Sequence, residues 1–180
     1  KSHPMFYSRS SQFFTRVSSL MRKKKVLIGA FIEREKVVFG KEKHPVIPIN
    51  HIKLHGGHNL ENVLAAVSVA GYSGVPFASI RRVLSEFRGI PCRLERISSK
   101  NDVLWYNDTT ATMPDAVIAA LSALNALTPH HSHLILIAGG EDKELDYGEL
   151  GKRIPRFVRH LILLPGSASK GWCRGVQHAP

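Results

Sequence analysis

The chain has 180 residues, 43% of them hydrophobic, enough to bury a substantial core and a length that fits one ordinary domain or parts of two. No run of about 18 apolar residues occurs, so no membrane-spanning helix is expected. The opening Lys1-Ser2-His3-Pro4-Met5 lacks the layout of a secretory signal, which makes the cytoplasm the expected compartment. The formal net charge is +11, but the cations fall in separate groups without interleaved aromatics. They read as a solvated basic surface, not a nucleic-acid platform.

In chain order, the stretch to about Ser19 has no clean period and reads as an irregular lead-in. Val26-Leu27-Ile28, Ala30-Phe31-Ile32 and Val37-Val38-Phe39 are short β-favouring runs separated by charged turns. A further strand is expected around Val46 to Ile49, at a sheet edge, because Pro45 and Pro48 cannot donate to a ladder. A helix is expected from Asn59, a good N-cap type, with Val63, Leu64, Ala66, Val67 and Ala70 at helical spacing up to Gly71. A second runs from about Pro76 to Phe87, its apolar positions being Ile80, Val83, Leu84 and Phe87.

After Arg88-Gly89-Ile90-Pro91 the pattern alternates strand and helix, the mark of a mostly parallel sheet. Val103 to Tyr106 is a strand, Pro114 to Leu127 an amphipathic helix, and His133 to Ala138 an almost wholly apolar strand expected to be covered on both faces. A helix from about Tyr147 to Val158 and a strand at His160 to Leu164 follow. Beyond Pro165 the Gly-, Ser- and Lys-rich sequence suggests no closing helix. The expected class is α/β with a domain boundary near residues 88–92, dividing the chain into 1–89 and 90–180.

Cys92 and Cys173 are far apart, so neither a disulfide framework nor a zinc site is signalled. His55 and His58, and His130, His131 and His133, lack Cys or carboxylate partners at ligand spacing, so no metal is expected there. In an α/β sheet, ligands gather at loops beyond the carboxyl ends of strands. One such loop is Asn107-Asp108-Thr109-Thr110-Ala111-Thr112, directly before a helix whose free N–H groups suit a carboxylate or phosphate. It reads equally as a capping loop with no ligand. A second is Gly139-Gly140-Glu141-Asp142-Lys143, where glycines allow close approach and Lys143 offers a point charge to an anion; a turn with a solvated lysine is the alternative. If the strands are neighbours, both loops share one rim. Asn59 and Asn62, able to read an adenine edge, and Arg93, suited to phosphate, form a third set.

Four blocks in order, Gly57-His58-Asn59-Leu60-Glu61-Asn62, Phe87 to Glu95, Asn107 to Thr112, and Ala138 to Lys143, resemble the Mur ligase family, most closely its D-glutamate-adding branch. The resemblance implies that residues 1–89 are the end of a central ATP-binding domain and 90–180 the first part of a Rossmann-like C-terminal ligase domain. It implies ATP and Mg²⁺ as cofactors, UDP-N-acetylmuramoyl-L-alanine and D-glutamate as substrates, an acyl-phosphate intermediate, and a monomer with no nucleic-acid or membrane partner. Asn59, Asn62, Arg93 and Asp108 would contact the nucleotide, and Thr110, Thr112 and Lys143 the amino-acid substrate.

The chain departs from the pattern twice. Thr110 stands where some relatives have lysine in Asp-Ser-Lys-Ala-Thr, and Cys92 where histidine is usual before Arg-x-Glu. No Gly-x-x-Gly-Lys-Thr phosphate loop occurs in the 180 residues, so this chain alone is expected to lack ligase turnover. The nearest rival within the fold is a folylpolyglutamate synthetase, against which the Asp108 to Thr112 loop speaks. From another class, a basic α/β binding module is motivated by charge alone.

Overall fold

The computed structural model describes residues 8–9, 29–127 and 134–177. The strand expected at Val26 to Ile28, most of the irregular lead-in, and His130, His131 and His133 lie outside the described residues. The chain divides into two compact units, Lys1–Gly89 and Ile90–Pro180.

The first unit is built on an antiparallel sheet of β1 (Ala30–Glu33), β2 (Lys36–Phe39) and β3 (His44–Pro48), in that order. Arg34 and Glu35, both at positive φ, turn β1 into β2, the two-residue connection that matches strand twist. The prolines sit in β3, at the end of the sheet order, where a missing donor costs least. Helices α1 (Gly57–Tyr72) and α2 (Phe77–Glu86) cover the sheet. Val37, Phe39, Val46 and Ile47 from the strands meet Val63, Leu64, Val67 and Ile80 from the helices in one core. Ser68 stitches sheet to helix: its hydroxyl accepts the Ala30 N–H at 2.8 Å and donates to the Leu64 carbonyl at 2.7 Å.

Helix α1 starts earlier than its asparagine suggests. The N-cap position is Gly56, at φ 92, a conformation glycine adopts without a Cβ clash. Asn59 instead lies in the first turn and donates its side-chain amide back to the His55 carbonyl at 2.8 Å. In α2 only Ile80 is fully buried, while Val83 and Phe87 remain exposed.

The second unit is mixed α/β. It comprises β4 (Glu95–Lys100), β5 (Val103–Asn107), α3 (Pro114–Leu127), β6 (Leu134–Ala138), α4 (Gly148–Phe157), β7 (Val158–Leu163) and α5 (Ala168–Gln177). Strands β6 and β7 pair in parallel, with α4 as their crossover. Their inward residues Leu134, Leu136, Ala138, Leu161 and Leu163 pack on a core of Leu121, Leu150, Ile154, Ala168 and Trp172.

Three features differ from the sequence expectation. Strand β5 pairs with β4 in an antiparallel hairpin, not with β6, so strand pairing among the described residues does not join the loops after β5 and β6 on one rim. Asn101 and Asp102, both at positive φ, make the tight turn that β4 requires. Second, α5 exists where no closing helix was expected: Ala168 and Trp172, one helical turn apart, both face the core, and burying an indole outweighs the weak helix propensity of Gly, Ser and Lys around it. Third, β6 is covered on one face only among the described residues. Ile135, Ile137 and Ile162 on the other face are each about half exposed.

Candidate functional site

The loop after β5 is fastened to the turn before β4 by hydrogen bonds converging on residues 92–95. The Thr110 hydroxyl and backbone N–H both donate to the Cys92 carbonyl, at 2.8 and 3.2 Å. The Leu94 N–H donates to Asp108 Oδ1 at 2.8 Å, and the Cys92 N–H to Glu95 Oε2 at 2.8 Å. Asn107 uses both ends of its amide: Nδ2 donates to Cys92 Sγ at 3.4 Å, and Oδ1 accepts the Thr109 N–H. The fastened turn is a strained one. Cys92 and Leu94, on either side of Arg93, stand at φ 63 and 46, a region that residues with a Cβ avoid.

These bonds sort the candidate residues by what they have left to offer. Asp108 and Thr110 spend side-chain oxygens on backbone partners. Thr112 is exposed and its hydroxyl makes no hydrogen bond among the described residues. The Arg93 side chain is likewise exposed, without an ion-pair partner among the described residues.

The loop after β6 is locked differently, by glycines. A Cβ on Gly139 would lie 2.7 Å from the Leu164 carbonyl oxygen, and one on Gly166 would meet the Gly140 carbonyl. The backbones of the loops after β6 and β7 therefore touch where side chains are absent. Across this contact Ala168 N–H donates to the Gly140 carbonyl at 3.1 Å, and Asp142 N–H to Ser167 Oγ at 2.8 Å. Asp142 in turn accepts from the Glu144 N–H and the Tyr147 hydroxyl. Burial, then the Asp142 charge and the hydrogen bond to it, raise the Tyr147 pKa above its ordinary value. Between these anchored residues Lys143 is exposed, with no ion-pair partner among the described residues. Sequence reasoning passed over Ser167, whose only signal was its place between Gly166 and the start of α5.

Asn59 and Asn62 belong to the first unit, the other candidates to the second. Within the first, Asn62 Nδ2 reaches Asn59 Oδ1 at 3.5 Å and both side chains are near the N-terminus of α1. Among the described residues, no group of three or more His, Cys, Asp or Glu side chains is placed to hold a metal ion. No helix there is long and apolar enough to cross a membrane.

A parallel β–α–β unit with polar and glycine loops at its strand ends defines an α/β domain, and residues 92–176 match the family model of the Mur ligase glutamate ligase domain. The chain belongs to the Mur ligase family. It is 36% identical over 144 residues to the UDP-N-acetylmuramoylalanine–D-glutamate ligase of Symbiobacterium thermophilum, covering 79% of this chain and 30% of that protein. A ligase of the same name from Caldanaerobacter subterraneus is 36% identical over 167 residues, covering 93% of this chain and 35% of that protein. The chain thus spans about a third of the length of the curated relatives it matches. Among solved structures, MurF from Acinetobacter baumannii shares the fold with a TM-score of 0.66 at 18% identity, over 98% of this chain and 41% of that one. The UDP-N-acetylmuramate-alanine ligase of Thermotoga maritima does so with a TM-score of 0.62 at 17% identity, over 82% and 35%.

Proposed function

We propose that this chain carries part of the nucleotide site and part of the amino-acid site of an ATP-dependent ligase that adds D-glutamate to UDP-N-acetylmuramoyl-L-alanine in peptidoglycan synthesis. The observation that carries the reading is the match, through both units, to relatives that bear that enzyme's name. In such a reaction ATP converts the substrate carboxylate to an acyl phosphate. The incoming amine then attacks the acyl carbon, the C–N bond forms, the bond to phosphate breaks, and the nitrogen sheds a proton. The residues of this chain bind and orient, and none is assigned to proton transfer.

The chemistry of each exposed group supports its role. Lys143 is an ammonium without an internal ion-pair partner among the described residues, on a loop whose neighbours are anchored, and it suits a carboxylate of D-glutamate. Thr112 offers a hydroxyl donor for the same substrate. Arg93 supplies a planar cation for phosphate or ribose oxygens, Asp108 holds the neighbouring Leu94 N–H from the loop after β5, and Asn59 and Asn62 offer amides to the adenine edge.

The reading is tested on the 180-residue chain, ¹⁵N-labelled, by titration with D-glutamate, L-glutamate and ATP. D-Glutamate should shift the Lys143 and Thr112 amides more than L-glutamate does, and Lys143→Ala should remove the response. Equal response to both enantiomers, or none affected by Lys143→Ala, refutes the amino-acid assignment. ATP-dependent amide formation by this chain alone would refute the expectation that a phosphate loop is required.

A further inference from the structure

We propose that Thr110 is a positioning residue: its hydroxyl locks the strained turn bearing Arg93 onto the loop bearing Thr112, so that the two are held as one rigid piece. Arg93 sits between two residues in the left-handed region, Cys92 at φ 63 and Leu94 at φ 46. Neither is glycine, asparagine or aspartate, the residues that take this conformation readily, so the turn persists only because its surroundings over-determine it. Besides the Arg93 N–H to the Ile90 carbonyl at 3.2 Å and Asn107 Nδ2 to Cys92 Sγ at 3.4 Å, three sets of bonds tie the turn down. Leu94 N–H is held by Asp108, Cys92 N–H by Glu95, and the Cys92 carbonyl by two donors that both belong to Thr110.

Thr110 therefore supplies both bonds that fix the Cys92 carbonyl, and it does so from within the loop that continues to Thr112. The next link is short as well, since the Thr112 N–H donates to the Thr110 carbonyl at 2.9 Å. Thus one residue touches the turn with its hydroxyl and amide, and the candidate ligand Thr112 with its carbonyl. A bound hydroxyl with its one proton committed to a backbone carbonyl has no donor left for a substrate. Thr110 acts on ligands only through what it holds.

The contact depends on the threonine side chain and on the backbone carbonyl of Cys92, whose thiol takes no part in it. A lysine at 110 could not reproduce it: the threonine oxygen sits on the β-carbon, within reach of a carbonyl that also receives the residue's own N–H, whereas an ammonium lies four carbons out. The inward hydroxyl at position 110 gives the turn an internal tie.

The assignment of Arg93 and Thr112 to ligands rests on the proposed function; the lock itself does not, and the test separates them. Amide hydrogen exchange is measured by NMR on the 180-residue chain as wild type, Thr110→Val and Thr110→Ser. Valine keeps the shape and removes the donor, so exchange at Cys92 and Leu94 should rise roughly fivefold, as expected for the loss of one net hydrogen bond. Amides of α4 and β6 should not change, and Thr110→Ser should restore most of the protection. In the same samples the ATP response at Arg93 should weaken with valine and return with serine. Unchanged exchange at Cys92 and Leu94, a rise spread through the whole second unit, or failure of serine to rescue overturns the lock. If exchange behaves as expected but wild type responds to neither ATP nor D-glutamate, the lock stands and the functional reading falls.

Discussion

Replacing Gly166 by alanine tests whether the glycine contact between the loops after β6 and β7 exists in solution. Gly166 stands at φ 155, and a Cβ built on it would press on the Gly140 carbonyl, 2.7 Å from its carbon. Backbone on both sides leaves no flexible side-chain end to move, so the loops must part. Parting them breaks two hydrogen bonds, Ala168 N–H to Gly140 and Asp142 N–H to Ser167, worth about 1 kcal/mol each. The backbone conformation adds roughly 1 kcal/mol or more for a residue with a Cβ. Gly166→Ala should therefore cost about 3 kcal/mol, a large share of the roughly 5–15 kcal/mol that keeps an ordinary domain folded.

Gly140→Ala is the internal control. Gly140 is also at positive φ, 122, but nothing lies within 4 Å of its ideal Cβ, so only the backbone cost applies, about 1 kcal/mol. Urea unfolding followed by tryptophan fluorescence reads the second unit alone, because both tryptophans, Trp105 and Trp172, belong to it. If the two variants lose the same stability to within about 0.5 kcal/mol, a margin typical of neutral surface changes, the close approach is absent and the reasoning fails. The same displacement should blunt the D-glutamate response at Lys143 in Gly166→Ala.

Ser68→Ala leaves the buried Ala30 N–H without its acceptor and should destabilise the first unit by about 2 kcal/mol, read as faster amide exchange at Ala30; no change there would show that water replaces the hydroxyl. Replacing Arg34-Glu35 by Asn-Gly should stabilise the β1–β2 hairpin by roughly 1 kcal/mol, because both positions require positive φ, and an unaltered melting temperature would refute this. Tyr147→Phe keeps the ring against Trp172 but removes the hydroxyl bond to Asp142, with an expected loss of about 0.5 kcal/mol at this partly exposed site. Since the folded-state pKa of Tyr147 is raised, the wild-type advantage should be complete below pH 10 and disappear as pH rises past the raised value; urea titrations at pH 8 and above 10 that show a constant difference would contradict it. Thr112→Val should abolish the D-glutamate response while leaving exchange at Cys92 and Leu94 as in wild type.

Periodic burial made most elements readable. The runs in β1 and β2, the 3.6-residue spacing in α1 and α3, and the apolar β6 all reflect a side facing a core, and the core contains the residues that carry those patterns. What the pattern hid was local backbone geometry. Strand β4, Glu95-Arg96-Ile97-Ser98-Ser99-Lys100, is exposed along almost its whole length, so it has no apolar period; the Asn101-Asp102 pair, tolerant of positive φ, was the available signal. Helix α5 was hidden for a related reason: Trp172 anchors it through a single contact surface, while the surrounding glycines and serines argue for a loop. Conversely, β6 looks two-sided by composition, yet Ile135 and Ile137 on one of its faces are exposed among the described residues, because composition records how apolar a strand is and not what has come to cover it.

The candidate site shows why a polar motif alone overstates the number of ligand contacts. In Asn107 to Thr112, the residue types that suit an anion are the same types that satisfy backbone groups in turns, and three of them, Asn107, Asp108 and Thr110, are used in that second way. Sequence gives no means of separating Thr110 from Thr112, two threonines two residues apart. Geometry does: the first directs its hydroxyl to a carbonyl 18 residues upstream, while the hydroxyl of the second has no partner among the described residues. The same contrast holds in the loop after β6, where Asp142 is engaged by Ser167, Glu144 and Tyr147 and Lys143 beside it is not. In both loops an anchored residue is followed or preceded within two positions by one whose side chain has no partner among the described residues. That is the arrangement a binding group needs if its position is to be set before a ligand arrives.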